Sequence, residues 1–548
     1  MLFSHFWILI YQSVIPFRHT NDKPWVTDSF RRLIRQRQHA YTNKDWTKYR
    51  HLRNLVQKTA SRLQRDFYKK RIEGLRKCEP SKWWCETKRL TGQGNKSEAS
   101  SSLSGLANKF TNGCMAQLAA AINTSLQQVS DDLTPLTDQD LLPVSDFPWH
   151  LKIEPYEVFF KLCNINIRKA PGPDGIPNWV LRDFAGILCG PLCTIFNASV
   201  REGFVPAVWK QANVLPIPKI RPPQSLESDL RPISLTPTIS KILEAIVGQH
   251  VRNKFKDKLD PKQFGAVKGR STVHALIDLL HLWHSALDKS KSVRAVFIDY
   301  AKAFDHVQHS TILQTLKSFG VEPAVINWIH SFLHSRQQRV KLGNNFSDWI
   351  TLIAGLPQGT WLGPLLFIGL INDLKTCLPL HKFVDDVTVT EIIGKQTVNY
   401  SVMQAACDEV ENWSKAHHMN INPKKTKQMI LGSQADKLPA SLTISDLNIE
   451  RVNQFKLLGV LVTDTLKWDD HVDSVCRKIN QRLFFLRKLK RAAMSSEDMV
   501  AYYRTVIRPV AEYACAVWHS SLTEGQTEQL EHLHRRAIKI IFLWQIRP

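Results

Sequence analysis

The chain has 548 residues and a formal net charge of +24, from 73 Lys and Arg against 49 Asp and Glu. This length allows about two to four domains with a sizeable core, and the 43% hydrophobic content is typical of a globular protein. So large a basic excess predicts a polyanionic partner, with nucleic acid as the first candidate and an anionic membrane surface as the second.

The 10 cysteines are scattered, and no two of them form a Cys-x-x-Cys pair. Their spacing excludes the usual zinc-finger patterns and favours free thiols in a reducing compartment, so we expect a protein of the cell interior. The first fifteen residues are apolar, but they lack a basic start and a cleavage site and are too short to span a bilayer. We therefore expect an irregular N-terminal edge rather than a targeting signal, and no membrane partner.

Residues 23–90 predict a basic amphipathic helical arm. Apolar side chains recur there every three or four residues, and Lys and Arg fill many of the positions between them. Because so few acids accompany these bases, we favour contact with phosphates over a merely solvated helix face. The bases are Arg31, Arg32, Arg35, Arg37, Lys44, Lys48, Arg50, Arg53, Lys58, Arg62, Arg65, Lys69, Lys70, Arg71, Arg76 and Lys77.

Residues 92–148 have the composition of a linker or a loosely packed connector. Residues 97–104 are rich in Ser, and residues 130–146 are rich in Asp, Thr, Leu and Pro, with a short Ala-, Leu- and Gln-containing helix predicted between them.

Regular elements return after residue 150. The pattern predicts helices over 154–163, 179–202 and 239–250, a rigid Pro/Gly turn over 169–177, and strands over 212–219 and 230–236. A Gly-punctuated loop then places Lys268 and Arg270 before a long helix over 273–290. Backbone N–H groups at a helix start, together with two cations, predict a triphosphate-binding loop.

Three carboxylates follow strand-like segments. The apolar segment 293–299 ends in Asp299, and the segment 383–389 predicts a hairpin with Asp385 and Asp386 at its tip. Adjacent like charges favour a bound cation, and hard cations such as Mg²⁺ prefer carboxylate oxygens. The three acids therefore predict a two-metal phosphoryl-transfer site, with ions ~3.5–4 Å apart.

Most adjacent Asp pairs have no such role. Asp131-Asp132 and Asp469-Asp470 are also pairs, but they lie in polar, turn-like or amphipathic surroundings, whereas β-forming apolar residues flank the pair at 385.

The remaining chain alternates turns and regular elements. A Gly-rich turn over 353–367 enters an apolar helix, and Gly355 and Gly359 would let the backbone approach a ligand closely. A helix over 405–417, a strand over 428–431 and a hairpin near 455–462 follow. From Trp468 onward the pattern is basic and helical.

Six motifs follow one another in a specific order along the chain. They are Arg231-Pro232-Ile233-Ser234-Leu235, Gln263-Phe264-Gly265, Phe297-Ile298-Asp299 with Ala303-Phe304-Asp305, Gly355-Leu356-Pro357-Gln358-Gly359 with Leu362-Gly363-Pro364-Leu365, Phe383-Val384-Asp385-Asp386, and Leu457-Leu458-Gly459. Together they resemble the reverse transcriptases of non-LTR (LINE-type) retrotransposons, the jockey-like group in particular. The resemblance covers about residues 150–470 and extends more loosely to the basic flanks.

The resemblance implies an α+β right-hand polymerase of fingers, palm and thumb, with an antiparallel palm sheet and flanking basic helical segments. The implied domains are a basic helical N-terminal arm (1–91), a linker (92–148), the fingers and palm (149–465), and a truncated helical thumb or C-terminal segment (466–548). Its partners would be an RNA template, a DNA primer and dNTPs, within a cytoplasmic or nuclear ribonucleoprotein.

The resemblance also implies roles for single residues. Asp299, Asp385 and Asp386 would bind two Mg²⁺ ions, for which Mn²⁺ could substitute, and Lys425 would protonate pyrophosphate. Phe304 would block a nucleotide's 2′-hydroxyl, and the Leu457-Leu458-Gly459 hairpin would grip the primer end. The implied nucleotide-binding residues are Lys219, Arg231, Arg270, Tyr300, Phe304, Asp305, Gln358 and Gly359.

The sequence departs from the family in two ways. Val384 stands where an Ala is more usual, and a full-length element carries an N-terminal endonuclease that residues before Lys23 are too few to encode. We therefore expect a fragment that retains the polymerase core. The leading hypothesis is an RNA-directed DNA polymerase. Alternatives are a catalytically silent remnant that binds RNA, a maturase-like RNA-binding protein, and an RNA-dependent RNA polymerase, which Phe304 disfavours.

Overall fold

The computed structural model describes residues 25–73, 80–91, 99–111, 113–127, 133–144, 151–220, 222–394, 401–432 and 441–542. The chain divides into two compact units. The first unit combines Met1–Asn95, Val472–Tyr513 and Thr523–Pro548, and the second combines Lys96–His471 with Ala514–Leu522. The predictions for residues 1–15, for Arg76-Lys77 and for the Asp131-Asp132 pair lie outside the described residues.

Helices make up most of the first unit and surround the sheets of the second. They are α1 (Asp28–Thr42), α2 (Trp46–Glu73), α3 (Pro80–Thr91), α4 (Ala99–Thr111), α5 (Met115–Gln127), α6 (Pro155–Cys163), α7 (Asn178–Asp183), α8 (Ala185–Arg201), α9 (Thr238–Phe255), α10 (Thr272–Asp288), α11 (His309–Ser318), α12 (Pro323–Leu333), α13 (Leu362–Leu370), α14 (Met403–Ala416), α15 (Asp469–Arg491), α16 (Ser496–Tyr502), α17 (Arg508–Glu512), α18 (Cys515–Trp518) and α19 (Glu524–Phe542).

The described strands all belong to the second unit. They are β1 (Gln211–Pro218), β2 (Leu230–Leu235), β3 (Ser292–Ile298), β4 (Arg336–Leu342), β5 (Asn345–Phe346), β6 (Ile350–Leu352), β7 (Leu380–Phe383), β8 (Asp386–Ile393), β9 (Lys427–Leu431), β10 (Thr443–Ile444), β11 (Leu447–Asn448), β12 (Glu450–Arg451), β13 (Gln454–Leu457) and β14 (Val460–Thr463).

Two five-stranded sheets organise the second unit. The central sheet has the order β12-β9-β3-β8-β7, in which β3 runs antiparallel to β8 and β9, and β7 and β8 form an antiparallel hairpin. The second sheet has the order β2-β1-β4-β5, with β6 also paired to β4. In the second sheet β1 is parallel to β4, so a long stretch of chain separates two neighbouring strands.

The middle strand of the central sheet is buried along its whole length. All seven residues of β3 are buried, and most are apolar or β-branched, as expected of a strand covered on both faces. Arg294 is the charged residue of this strand, and its guanidinium donates to Gln428 Oε1 on β9 at 2.8 and 3.1 Å. A rigid, fully paired strand therefore leads directly to Asp299.

The described part of the predicted linker is packed structure rather than a connector. Helices α4 and α5 bury Leu106 and Ile122 against Val214 and Val340 of the second sheet. The sequence prediction of a linker over 92–148 is therefore wrong for residues 99–127. Small polar residues lowered the apparent hydrophobicity of these helices, but their apolar positions still form one buried stripe.

The first unit packs an N-terminal helix against helices from the C-terminal part of the described chain. Trp83 and Trp84 of α3 pack against the hydrophobic cluster formed by α15, α16 and α19, and Trp83 Nε1 donates to Asp498 Oδ1 at 3.2 Å. The predicted N-terminal arm and the C-terminal helices are thus parts of one unit. Among the described residues, no helix is both long and apolar enough to cross a membrane.

Several predicted elements are confirmed closely. The helix predicted over 273–290 is α10, the strand over 293–299 is β3, and the hairpin near 455–462 is β13–β14. The helix predicted over 179–202 is interrupted at Phe184, where φ is −100° and ψ is 18°, and so forms α7 and α8. The mixed α and β composition of the fold is also confirmed.

An ion-pair cluster joins α9 to the start of α12. Glu322 accepts from His250 Nε2 at 2.7 Å and pairs with Lys254 Nζ at 2.6 Å. Burial alone would raise the pKa of Glu322, but the hydrogen bonds from Lys254 and His250 outweigh it and lower the pKa to about 2.

We expect Glu322→Gln to destabilise the second unit by about 1–3 kcal/mol at neutral pH, because Lys254 and His250 lose a charged acceptor. Since the folded pKa is depressed, this stability is present above the unfolded pKa and is lost as the pH falls towards 2. Thermal unfolding should therefore show a wild-type advantage at neutral pH that shrinks below a pH of about 4.5. Glu227→Gln, at an exposed position, is the matched control, and an equal loss in both variants would contradict the assignment.

Candidate active site

The three predicted carboxylates meet at one edge of the central sheet. Ile298 pairs with Val387, so Asp299, directly after β3, comes beside Asp386 at the start of β8. Phe383 pairs with Asp386, which leaves Val384 and Asp385 as the two-residue turn of the hairpin. Sequence reasoning placed both aspartates at a hairpin tip, and the structure agrees.

These carboxylates disfavour one another's charge. Burial raises the pKa of all three groups, and in Asp386 repulsion by Asp385 and Asp299 adds to the effect of burial, so that its pKa reaches about 6. Within the described residues, the buried Asp299 Oδ2 accepts no hydrogen bond. Desolvated and mutually repelling, such oxygens suit a hard divalent cation.

The carboxylate set fits a metal ion by its donor chemistry rather than by a finished coordination shell. Among the described residues, no three His, Cys, Asp or Glu side chains form a ready-made metal site. The three acids share an edge of the sheet, but binding of a metal ion would require their side chains to move closer together.

Three of the predicted cations surround the acids. Lys425 Nζ lies 3.9 Å from Asp299 Oδ2. The charge of Arg231 opposes the rise in the pKa of Asp385 that burial causes. Desolvation and the charges of Lys425 and Arg231 lower the pKa of Lys219. Because three cations influence one another as well as the acids, the site has alternating charges that suit a phosphate-bearing ligand.

The turn of the carboxylate hairpin is strained. Val384 has φ of +61°, a value that is costly for a β-branched residue, by about 1–3 kcal/mol. Gly265 lies against this turn, and a Cβ at position 265 would come within 2.5 Å of Val384 Cγ2. Val384, at which the sequence departs from the family pattern, thus has both a strained backbone and closely packed neighbours.

Gln263 holds this strained turn from outside the sheet. Its Oε1 accepts from Gly265 N at 2.9 Å and from Val384 N at 3.1 Å, and the side chain is fully buried. The main chain adds two bonds, because Phe264 N donates to Lys382 O and Lys382 N donates to Lys262 O. Gln263 belongs to one of the sequence motifs but is not among the predicted site residues. Its position directly before Phe264 and Gly265 was the signal that could have identified it.

The Gly-rich turn is fixed by main-chain bonds to residues that follow Asp299. Gly355 N donates to Val307 O and Leu356 N donates to Phe304 O. The neutral ring of buried His309, whose pKa burial lowers to about 4, donates from Nε2 to Gly355 O. Position 355 must be Gly because φ is +86° and a Cβ would meet Asp305 O at 2.7 Å.

A cavity of about 260 Å³ opens between this turn and the second sheet, with Ser234, Asp305 and Gln358 in its wall. Its volume lies just below the usual range for ligand pockets, about 300–1,000 Å³. Burial raises the pKa of Asp305 to about 6, and Gln358 Nε2 lies 3.4 Å from Asp305 Oδ1. The predicted pocket residues Asp305 and Gln358 therefore do lie together, and Gly359 packs against Ser234 O.

Two predicted nucleotide contacts have structural roles instead. Tyr300 is 7% exposed and its hydroxyl pairs with Ser414 Oγ at 3.2 Å, so its side chain is a core element and this prediction is corrected. Arg270 Nη1 donates to the carbonyl groups of Pro261 and Gln263 at 2.6 and 2.5 Å. A triphosphate contact by Arg270 thus stays a prediction that this geometry does not favour.

Phe304 lies beside the pocket wall. Its ring stacks on Phe367 of α13 with centroids 4.6 Å apart and planes 17° apart, and the residue is half-buried. The position is therefore rigid and bulky, as a steric barrier would need to be.

The hairpin β13–β14 also lies near the carboxylates. Phe455 stacks on Phe297 of β3 at 3.9 Å, and the turn uses positive φ at Leu458 and Gly459. A cavity of about 20 Å³ is lined by Asp386 and Leu458 together, which places the hairpin tip beside the acids.

Three carboxylates at one edge of a mainly antiparallel sheet, with cations near them, are the donor set of a two-metal phosphoryl-transfer site, which polymerases share with nucleases and phosphatases. The family described as "Reverse transcriptase (RNA-dependent DNA polymerase)" matches residues 217–462, which include all these groups. Residues 217–462 therefore form a reverse transcriptase domain. A model described as "Alkylated DNA repair protein alkB homolog 8, N-terminal" matches residues 468–508.

Curated relatives agree with the domain assignment. The chain is 26% identical over 439 residues to "Probable RNA-directed DNA polymerase from transposon BS" of Drosophila melanogaster, covering 77% of this chain and 47% of that protein. It is 25% identical over 377 residues to "RNA-directed DNA polymerase from mobile element jockey" of the same species, covering 66% and 41%. The resemblance to non-LTR retrotransposon reverse transcriptases is confirmed, and the chain spans about half the length of these relatives.

We expect Gln263→Met to loosen the carboxylate hairpin, because the N–H groups of Gly265 and Val384 lose their shared acceptor. A cost of about 1–3 kcal/mol predicts amide exchange about 5- to 150-fold faster over residues 380–390. Hydrogen-exchange mass spectrometry measures this, with exposed Gln314→Met as the control. Unchanged protection of the hairpin would remove Gln263 from the site.

Proposed function

We propose that this chain is an RNA-directed DNA polymerase of a non-LTR retrotransposon, which extends a 3′-hydroxyl primer with dNTPs. The observation that carries the proposal is the set of three carboxylates with raised pKa values at one edge of the central sheet, with Lys425 Nζ 3.9 Å from Asp299 Oδ2. The central sheet would be the palm, the second sheet the fingers, and the helices from α15 onward the thumb.

Asp299, Asp385 and Asp386 would hold two Mg²⁺ ions, with Mn²⁺ as a possible substitute. When bound, such ions supply charge stabilisation to the attacking and leaving oxygens of phosphoryl transfer. The raised pKa values of the three acids support this assignment, because their ionised forms need a neighbouring positive charge.

The chain's own cations would handle the triphosphate. Lys219 and Arg231, which influence the acids and Lys425 electrostatically, would bind phosphate oxygens. Lys425, 3.9 Å from Asp299 Oδ2, would donate a proton to the departing pyrophosphate. Gln358 and Gly359 would form the floor of the nucleotide pocket.

Phe304 would select the sugar. Its ring is braced by Phe367 and lies next to Asp305 in the pocket wall, so a 2′-hydroxyl would meet a rigid obstacle rather than a side chain free to move.

A second candidate is a catalytically silent protein that binds RNA through α1 and α2. The strained φ of Val384 in the metal hairpin favours this candidate, because a misplaced carboxylate would abolish catalysis without affecting a separate RNA-binding unit.

We expect Asp385→Asn to reduce primer extension at least about a thousandfold, because several kcal/mol of charge stabilisation are lost. RNA binding should remain. The measurement is dNTP incorporation on an RNA template with Mg²⁺, and Asp470→Asn, in another Asp pair at an exposed position, is the matched control. Full activity in Asp385→Asn would refute the metal assignment, whereas an inactive but RNA-binding wild type would favour the silent candidate.

We expect Phe304→Ala to improve the use of rNTPs relative to dNTPs by about tenfold or more, because the obstacle to the 2′-hydroxyl is removed. The ratio of kcat/KM values for the two sugars measures this. Phe304→Tyr keeps the bulk of the ring and should leave the ratio unchanged. Equal ratios in the alanine variant and the wild type would show that another residue selects the sugar.

A further inference from the structure

The turn between α1 and α2 carries an exposed cluster of three aromatic rings. We call Tyr41, Trp46 and Tyr49 the aromatic tip. Trp46 lies 5.6 Å from Tyr41 and 6.2 Å from Tyr49, nearly perpendicular to both, and the two tyrosines are 5.3 Å apart. Tyr41 is 56% exposed and Trp46 is 52% exposed, so much of their surface faces solvent.

The helical hairpin does not need these rings to bury its own apolar face. Phe30, Ala40, Leu52 and Val56 form that buried face, and α2 begins with a cap in which Lys48 N donates to Asp45 Oδ1 at 3.0 Å. Two large aromatic side chains left more than half exposed are therefore an excess of apolar surface, which is typical of a binding surface.

The surroundings of the aromatic tip are strongly basic. Between residues 25 and 73 the chain has fourteen Lys and Arg and only four Asp and Glu. Exposed Arg50 and Arg53 follow Trp46 by four and seven residues and so share its helix face, and Lys44 occupies the turn itself. A polyanion is thus the complementary ligand, and a neutral or basic protein surface is disfavoured.

Aromatic rings interleaved with cations suit unpaired nucleotides. In a duplex the bases are stacked on one another, whereas in a single-stranded loop or end they expose flat faces that stack on Trp and Tyr while Arg and Lys bind the phosphates. The aromatic tip offers rings and cations on one protruding turn, where a looped-out strand can reach both.

We propose that the aromatic tip is a base-stacking site for single-stranded RNA, held in place by the phosphate contacts of Lys44, Arg50 and Arg53. The choice of RNA rests on the proposed polymerase function, and the stacking chemistry rests on the ring geometry and charge alone. The site lies on α1 and α2, apart in sequence from every residue of the candidate active site.

The test compares RNA binding by the full chain and its Tyr41→Ala/Trp46→Ala variant, using fluorescence anisotropy with labelled oligouridine and with an abasic ribose-phosphate oligomer of the same length. Loss of stacking should weaken oligouridine binding about 10- to 100-fold. Binding of the abasic oligomer should change little, and the dependence of affinity on salt should keep its slope, because no phosphate contact is removed.

Two matched variants separate stacking from charge and from folding. Tyr41→Phe/Trp46→Phe keeps flat rings and should retain most of the oligouridine affinity. Arg50→Gln should weaken both oligomers alike and reduce the salt slope by about one phosphate contact. Equal losses on both oligomers in the alanine variant, or no loss on either, would overturn the proposal, and the latter result would point to a protein partner. Single-stranded DNA bound as tightly as RNA, with the same loss in the alanine variant, would overturn the RNA assignment.

Primer extension distinguishes this proposal from the proposed function. A wild-type chain that extends no primer but shows base-dependent RNA binding would sustain the stacking site and refute the polymerase.

Discussion

Three negative charges brought to one edge of a sheet are the constraint on which the candidate site depends. Desolvation and mutual repulsion raise the pKa of Asp386 to about 6, so the folded chain carries a cost at the point where its chemistry would occur. The fold tolerates this cost because β3 is buried and paired on both sides, so the strand cannot move Asp299 away from the other two acids. The charges of Lys219, Lys425 and Arg231 offset part of it.

A second cost falls on the same turn. Val384 adopts a positive φ, and the hairpin keeps this conformation because other groups over-determine it. On one side Gln263 binds the Val384 N–H, and on the other the fully buried Lys382 pairs with Asp260 at 2.9 Å and donates to two carbonyl groups. Backbone strain at Val384 and repulsion among the carboxylates therefore occur at the same hairpin, which these hydrogen bonds hold in place. Departures from local rules of this kind are expected at functional sites.

How much the sequence predicts depends on the range of the interaction. The strand leading to Asp299 and the hairpin at Asp385 were predictable, because local alternation and β-forming residues specify them. The parallel pairing of β1 with β4 was not, since no local pattern records which distant strand is the neighbour. The packed helix α5 was mistaken for part of a linker because composition describes polarity but not which face is buried.

Single residues show the same limit. The sequence predicted that Arg270 contacts the triphosphate and that Lys425 protonates pyrophosphate, yet the first donates to main-chain carbonyl groups while the second faces Asp299. Tyr300 directly follows Asp299 in sequence, but strand geometry turns its side chain to the opposite side, into the core.

The basic excess of the chain has two physically different uses. Lys219 and Arg231 act on particular carboxylates of the candidate site, because the charge of Lys219 favours the ionised form of Asp299 and that of Arg231 favours the ionised form of Asp385. The cations of α1 and α2 are mostly exposed and outnumber the acids there, so their attraction to a polyanion is long-ranged, unspecific and weakened by salt. Specificity in that region must come from another source. The rings of Tyr41 and Trp46 can supply it, because stacking acts at contact distance and distinguishes an unpaired base from a bare phosphate chain.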